Sequence, residues 1–326
     1  MKVTVLGAGA WGTALGILLH RGNHPVSLWG HDPVHLEEMH RRGGNARYLP
    51  GIAVPRGWTY EPDLRRAISG SDAVVVAVPS QAMRSIADLM ADYSGLFISV
   101  TKGIDYESGL TMGGVLAQAA PKAKVAALSG PTLALEVAKG VPTAIVAASR
   151  DTKIAQTVQQ LFHSASFRVY TSTDLIGVEM GGALKNVVAI AAGVGDGFGF
   201  GDNSKAALLT RGIVEIRRLG VASGAQAETF AGLSGLGDLT VTCFSRLSRN
   251  RALGERLGRG EKLEDILAST RSVAEGYPTA RSAYQLARRL NISTPIIDEV
   301  HAVLYHGKIV GKALQDLITR ESKAED

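Results

Sequence analysis

The chain of 326 residues is nearly free of cysteine, with Cys243 alone. An intrachain disulfide is thereby excluded, and a reducing, cytoplasmic setting is expected. Aromatic residues are scarce at 6%, and the basic residues are dispersed rather than run together. A net charge of +5 in that pattern does not make a nucleic-acid surface; it suits an enzyme for a small anionic substrate. Long hydrophobic runs are also missing. The longest unbroken one, Val187 to Val194, is far short of the ~20 residues that a membrane span needs. Met1-Lys2 and the apolar stretch after it carry one positive charge and no small-residue cleavage site, so a strand is expected there and not a secretion signal. No cysteine cluster or His-Glu motif occurs. His31 and His35 are four apart but have no carboxylate-rich helix to complete a site, so no metal is expected.

What is present is length for two domains and a clear change of pattern along the chain. Lys2 to Leu6 is β-rich, Gly7-Ala-Gly-Ala-Trp-Gly12 follows, a helical pattern runs from Thr13 to Arg21, and Val26 to Trp29 is a second strand. Glycines between strand and helix at the start of a βαβ unit form a dinucleotide fingerprint. Gly7 serves the tight turn, Gly9 the close approach of a pyrophosphate and Gly12 the packing of helix on strand. The helix N-terminus adds free N–H groups and a positive dipole end. The second strand runs out at Gly30-His31-Asp32, where an acid would select NAD through the ribose 2′-hydroxyl. Asp32 is one step late for that role and His31 is suited to a 2′-phosphate, so the reading leans to NADPH, with dual use open. Both residues also suit the simple start of a turn before Pro33.

Apolar runs at Ala73–Val78, Gly95–Val100, Lys124–Leu128, Ala144–Ala148 and Phe167–Tyr170 extend the pattern. Such runs are the mark of parallel strands covered on both faces. Lys102, Gly130 and Thr132 fall just past strand ends, where open α/β sheets bind ligands. Beyond about Thr173 only helical patterns remain. The expected architecture is an α/β Rossmann-type domain over 1–172 and an all-α substrate and catalytic domain over 173–326, with a site in the crevice between them. The charged tail from Arg320 reads as disordered.

The stretch Gly177 to Val194 reads as a buried helix, being apolar apart from Glu179, Lys185 and Asn186. A lysine in such a setting either snorkels to solvent or is kept there as a base with a lowered pKa. Asp238, in Gly235-Leu-Gly-Asp238, suggests a tight turn presenting a carboxylate, to orient that amine or merely to cap a turn. Ser248-Arg249-Asn250 opens a helix with a good N-cap; it is either an ordinary capped surface helix or a phosphate site. Cys243 reads as packing. Gly193 to Gly201 reads as too glycine-rich to stay helical.

These motifs together resemble the bacterial NAD(P)-dependent glycerol-3-phosphate dehydrogenases. The likeness runs from Val3 to about Leu317 and rests on Gly7 to Leu15, Ser129 to Thr132 with Glu136-Val-Ala, Gly177 to Asn186, Gly199 to Asn203, Gly232 to Leu239, Ser248 to Arg251 and Val273 to Gly276. The resemblance implies a helical domain like the C-terminal one of 6-phosphogluconate dehydrogenase. It implies Lys185 as general acid/base between dihydroxyacetone phosphate and sn-glycerol 3-phosphate, feeding glycerophospholipid synthesis. It further implies substrate contacts by Lys102, Gly130, Thr132, Lys185, Asp238, Ser248, Arg249 and Asn250. Cofactor contacts by Gly7, Gly9, Ala10, Trp11, Gly12, His31, Lys102, Ala134, Arg249, Val273 and Glu275 are implied as well. Ala10 stands where the family commonly has serine, which removes one hydroxyl from the phosphate-binding turn. A related hydroxy-acid dehydrogenase and a non-catalytic NAD(P)-sensing protein are the rival readings, and a homodimer is compatible with all of them.

Overall fold

The computed structural model describes residues 1–270 and 273–321. The N-terminal part carries strands β1 (Val3–Leu6), β2 (Val26–Trp29), β3 (Thr59–Tyr60), β4 (Ala73–Val76), β5 (Leu96–Ser99), β6 (Lys124–Ser129), β7 (Thr143–Ala148) and β8 (Phe167–Ser172). Around them lie helices α1 (Ala10–Arg21), α2 (Pro33–Arg42), α3 (Leu64–Ile68), α4 (Met83–Asp88), α5 (Met112–Ala119), α6 (Ala134–Lys139) and α7 (Thr152–Phe162). The strands form one sheet in the order β3-β2-β1-β4-β5-β6-β7-β8. β1 to β6 are parallel, with β1 between β2 and β4 in a register that pairs Val5 with Leu28 and Val75. Apolar runs alone predicted parallel pairing throughout, and one pair departs from it: β7 runs antiparallel to β6, and β8 then follows β7 in parallel. The apolar run reports only that both faces are covered, which holds for either direction.

The C-terminal part is helical: α8 (Leu175–Gly197), α9 (Asp202–Ala222), α10 (Asp238–Phe244), α11 (Arg249–Gly258), α12 (Leu263–Ser269), α13 (Gly276–Arg289), α14 (Pro295–His306) and α15 (Val310–Ile318). Its core, built on Leu184, Val187, Val188 and Ile190 of α8 with Leu253, Ala283 and Ile297 of its neighbours, is separate from the cores that flank the sheet. The charged tail lies, beyond Glu321, outside the described residues.

Helix α8 overturns one expectation. It does not stop at Gly193 but continues to Gly197. Here the glycines serve close packing. A Cβ on Gly193 would stand 2.0 Å from the Arg251 carbonyl oxygen, and one on Gly254 of α11 would stand 1.9 Å from that of Ile190. The two backbones thus touch along a stripe of small residues, which outweighs the low helix propensity of glycine. At 23 residues α8 is also long and apolar enough to cross a membrane by length and composition, yet 83% of its most apolar window is buried within the protein. An apolar-run count broken by Lys185 and Glu179 missed this length.

Candidate active site

The parallel strands end on one edge of the sheet, and the chain leaves that edge through its chemically distinctive residues. Gly7 follows β1, with its N–H bonded to the Trp29 carbonyl at the end of β2. Its φ of +120° and the 2.5 Å that would separate a Cβ from the Ala77 carbonyl oxygen make glycine obligatory. A Cβ on Gly12 would strike the Gly7 carbonyl at 2.0 Å. Gly9 differs: a Cβ there would meet no atom of the described residues within 4 Å, so their packing does not require a glycine at that position. Gly9 also caps α1 without any side-chain bond to the first-turn N–H groups, and Ala10 and Trp11 open that turn. A bare backbone cradle at a helix N-terminus, with room above it, fits the pyrophosphate of a dinucleotide. His31 is exposed at the end of β2, and Asp32 has a structural task as the N-cap of α2, accepting the His35 N–H. Ala134 opens α6 and packs against the core under α1.

Lys102 follows β5 and reaches into the helical part. Its amine donates to the Gly130 carbonyl at 3.1 Å and to Asp238 Oδ2 at 2.5 Å. Thr132 donates to the same Gly130 carbonyl at 3.1 Å. Lys185 donates to Asp238 Oδ1 at 2.5 Å and to the Thr242 hydroxyl at 2.5 Å. One fully buried carboxylate therefore holds two ammonium groups, one from each part of the chain. Lys185 is itself only 5% exposed, so it does not snorkel. Burial is the main cause that brings its pKa down to about 8; Asp238 opposes this and the charge of Lys102 adds to it.

The backbone explains how these groups meet. Gly181 and Gly182 lie one turn before Lys185. A Cβ on Gly181 would stand 2.6 Å from the Ser234 carbonyl oxygen, and one on Gly182 2.5 Å from the Ser129 hydroxyl and 3.4 Å from Lys102 Cγ. The two glycines let the end of β6, the Lys102 stem and the Ser234 segment lie flush against α8. Asp238 is not on the tight turn expected for it. Leu233–Gly237 is a π-helical turn that runs directly into α10, and Asp238 is the first residue of that helix. The widened turn aims the carboxylate inward, as such turns often do at functional sites.

Ser248 caps α11 by accepting the Arg251 N–H at 3.2 Å. Arg249 leaves the first turn with part of its surface exposed, yet protein packed around its guanidinium desolvates it and lowers its pKa, which the Glu275 charge opposes. Asn250 is buried, donates to Asn186 Oδ1 at 2.8 Å and accepts the Gly276 N–H at 2.9 Å, tying α11 and α13 to the residue beside Lys185. Glu275 crosses to the sheet edge, accepting the Ser80 N–H at 3.1 Å and its hydroxyl at 2.5 Å. Burial pushes its carboxyl above the ordinary range while these bonds pull it down. Val273 is 41% exposed. Cys243 is buried, with its thiol pushed up to about 12 by that burial, which keeps it protonated.

Sequence reasoning missed Thr242 and Ser80. Thr242 was within reach, because it lies one helical turn after Asp238, but only once Asp238 is recognised as opening a helix. A cavity of about 900 Å³ in the helical part, lined by residues such as Leu208, Arg211, Val300 and Leu317, is separate from the lysine cluster.

Residues 2–155 match the family model for the N-terminus of NAD-dependent glycerol-3-phosphate dehydrogenase, and residues 174–315 match that for its C-terminus. A glycerol-3-phosphate dehydrogenase [NAD(P)+] of Syntrophotalea carbinolica is 46% identical, covering 100% of this chain and 99% of its own. That of Chlorobium phaeobacteroides is 45% identical over the same shares. The crystal structure of glycerol-3-phosphate dehydrogenase from Coxiella burnetii is similar with a TM-score of 0.95 and 36% identity, over 98% of this chain and 99% of that one.

Proposed function

The chain belongs to the NAD-dependent glycerol-3-phosphate dehydrogenase family, and from that premise we propose that Lys185 is the proton donor and acceptor of its reaction. The chain is an oxidoreductase that works with NAD(P). Its substrates in this reading are dihydroxyacetone phosphate in one direction and sn-glycerol 3-phosphate in the other, the latter a building block for glycerophospholipids. When bound, the nicotinamide supplies or takes the hydride. Gly7, Gly9, Ala10, Trp11 and Gly12 would hold its pyrophosphate, with His31, Lys102, Ala134, Arg249, Val273 and Glu275 around the remainder.

The observation that carries the proposal is the shared carboxylate. Asp238 fixes the amines of Lys185 and Lys102 at 2.5 Å each, so the cluster keeps a net positive charge in a dry setting. In the reducing direction the Lys185 ammonium gives its proton to the oxygen that becomes a hydroxyl; in the oxidising direction the neutral amine takes it back. Lys102 lends positive potential to the oxygen as charge develops there. The Arg249 guanidinium and the N-terminus of α11 anchor the phosphate end, next to Gly130 and Thr132 across the cleft. Ser248 and Asn250 set the orientation of that helix start. We divide the chain at Ser172, where β8 ends, and assign it to the cytoplasm, since its single cysteine is buried and free.

Lys185→Ala tests the assignment. Turnover should fall by about 10²–10⁴-fold, the range for loss of a general acid/base, while titration with NADPH still shows binding. Turnover within a few-fold of the parent chain would overturn the role of Lys185. A panel of keto acids run beside dihydroxyacetone phosphate separates this substrate from those of hydroxy-acid dehydrogenases.

A further inference from the structure

Asp196 lies on α8 about three turns beyond Lys185, and so on the same side of that helix. Its carboxylate meets a cation on either hand. Lys205 Nζ, from α9, is 2.6 Å from Oδ1, and Arg251 Nε, from α11, is 2.6 Å from Oδ2. Arg251 Nη1 also lies 3.2 Å from Glu255 Oε2, a carboxylate that Arg259 shares. The Lys205 ammonium stands 5.1 Å from the centre of the Phe244 ring, the last residue of α10. One carboxylate thus gathers α8, α9 and α11, and its lysine partner adds the end of α10. Three of these helices carry the site: α8 holds Lys185, α10 opens with Asp238, and α11 opens with Arg249 and Asn250.

The Lys205, Asp196 and Arg251 side chains are 12%, 11% and 13% exposed, so this is not a loose pairing screened by solvent. Removing its one shared carboxylate would leave two poorly solvated cations facing each other. Arg251 is also where the first turn of α11 is held. Its N–H closes the turn on the Ser248 hydroxyl, its carbonyl rests against Gly193 of α8, and its guanidinium meets Asp196. Arg249 and Asn250 belong to that same turn. The first turn of a helix is where fraying begins, and the aim of its free N–H groups and of Arg249 depends on the turn staying wound and seated.

We propose that Asp196, acting through Arg251 and Lys205, is a positioning residue for the phosphate anchor at the start of α11. The assignment rests on the reading of that turn as the phosphate site. Position and charge predict opposite signs. By charge alone, loss of a carboxylate beside an anion site would tighten the anion; by position, Asp196→Asn loosens the turn and weakens it. The test combines steady-state rates with dihydroxyacetone phosphate, competition by inorganic phosphate, and titration of the free enzyme with NADPH. In Asp196→Asn, KM for dihydroxyacetone phosphate and the inhibition constant of inorganic phosphate should both rise by about tenfold or more, as for a lost charge-assisted contact. The value of kcat should stay within a few-fold, because Lys185 and Asp238 are untouched, and the NADPH titration should match that of the parent chain. Asp196→Glu, which keeps the charge, should recover part of both losses. Lys205→Met, which leaves the pair between α8 and α11 in place, should move the same two constants in the same direction by less. A phosphate constant that is unchanged or lower in Asp196→Asn and Lys205→Met, or a kcat that falls as far as the affinity does, would overturn the role of Asp196. An unchanged KM in Arg249→Ala would overturn the reading of the turn as the phosphate site, and the role of Asp196 with it.

Discussion

A lysine amine becomes a useful base only if its charged form is made costly, and the protein does this to Lys185 chiefly by removing water. Asp238 alone would raise the pKa of the amine; burial and, after it, Lys102 bring it down to about 8. The pH dependence follows with a definite sign. In the proposed mechanism oxidation needs the neutral amine, so kcat/KM for sn-glycerol 3-phosphate should rise with pH through about 8. Reduction needs the ammonium, so kcat/KM for dihydroxyacetone phosphate should fall through the same value. Lys102→Met removes a neighbouring positive charge and should move both inflections to higher pH, because the charged form of Lys185 is then penalised less. Profiles of the two directions that lack an inflection near that pH, or a Lys102→Met shift to lower pH, would contradict this account. Lys185 and Lys102 were both legible as candidates because an apolar helix and a strand end are visible in one dimension. Their shared partner was legible as a residue but not as a geometry: the Asp238 carboxylate depends on a π-helical turn, which has no local sequence signature beyond its glycines.

At the scale of elements, local pattern gave the strands wherever one residue class dominates, as in β4 and β5, and failed where a residue serves a neighbour. Glycine is the clearest case. Gly193 and Gly195 look alike in sequence, yet a Cβ on Gly193 would stand 2.0 Å from the Arg251 carbonyl oxygen while one on Gly195 would meet only a Phe200 ring atom at 3.8 Å. The end of α8 was misjudged because propensity counts both as breakers. The short β3 was illegible for a similar reason, since its order comes from anchorage to distant residues. The distinction can be measured. Gly195→Ala should stabilise the protein by up to about 1 kcal/mol, the helix-propensity difference. Gly254→Ala drives a Cβ to 1.9 Å from the Ile190 carbonyl oxygen and should cost about 1–3 kcal/mol or more. It should also lower activity, because α11 carries Arg249 and Asn250. Denaturant midpoints of the two variants that move in the same direction would sink the packing account of these glycines.

Over the whole molecule, the proposed mechanism requires that a cofactor cradle on the sheet and an amine on α8 keep a fixed relation. Several links cross between the two parts: Lys102 to Asp238, Ser80 to Glu275, and Glu179 to α5. The last is the most buried and stands apart from the lysine cluster's own bonds. Glu179, 5% exposed on α8, accepts the Thr111 hydroxyl and the Gly113 N–H at 2.7 Å each, at the positive N-terminal end of α5. Gly113 admits it, since a Cβ there would come within 2.7 Å of Glu179 Oε2. Burial outweighs these bonds and raises the carboxyl to about 6. A pKa raised above the unfolded value of 4.5 gives stability that is fully present below that value and is lost as pH climbs through about 6. The shift corresponds to about 2 kcal/mol. Glu179→Gln keeps an acceptor for the two donors but does not titrate, so that pH-dependent loss should vanish from its stability curve. Between pH 4.5 and pH 6 the parent chain should lose about 1.3 kcal/mol more in denaturant unfolding than the variant does, the remainder of the ~2 kcal/mol falling just outside that window. Other titrating groups sit apart from this link and cancel in the comparison. Parallel curves for the two proteins across that range would show that Glu179 spans the two parts without its charge being held at a cost.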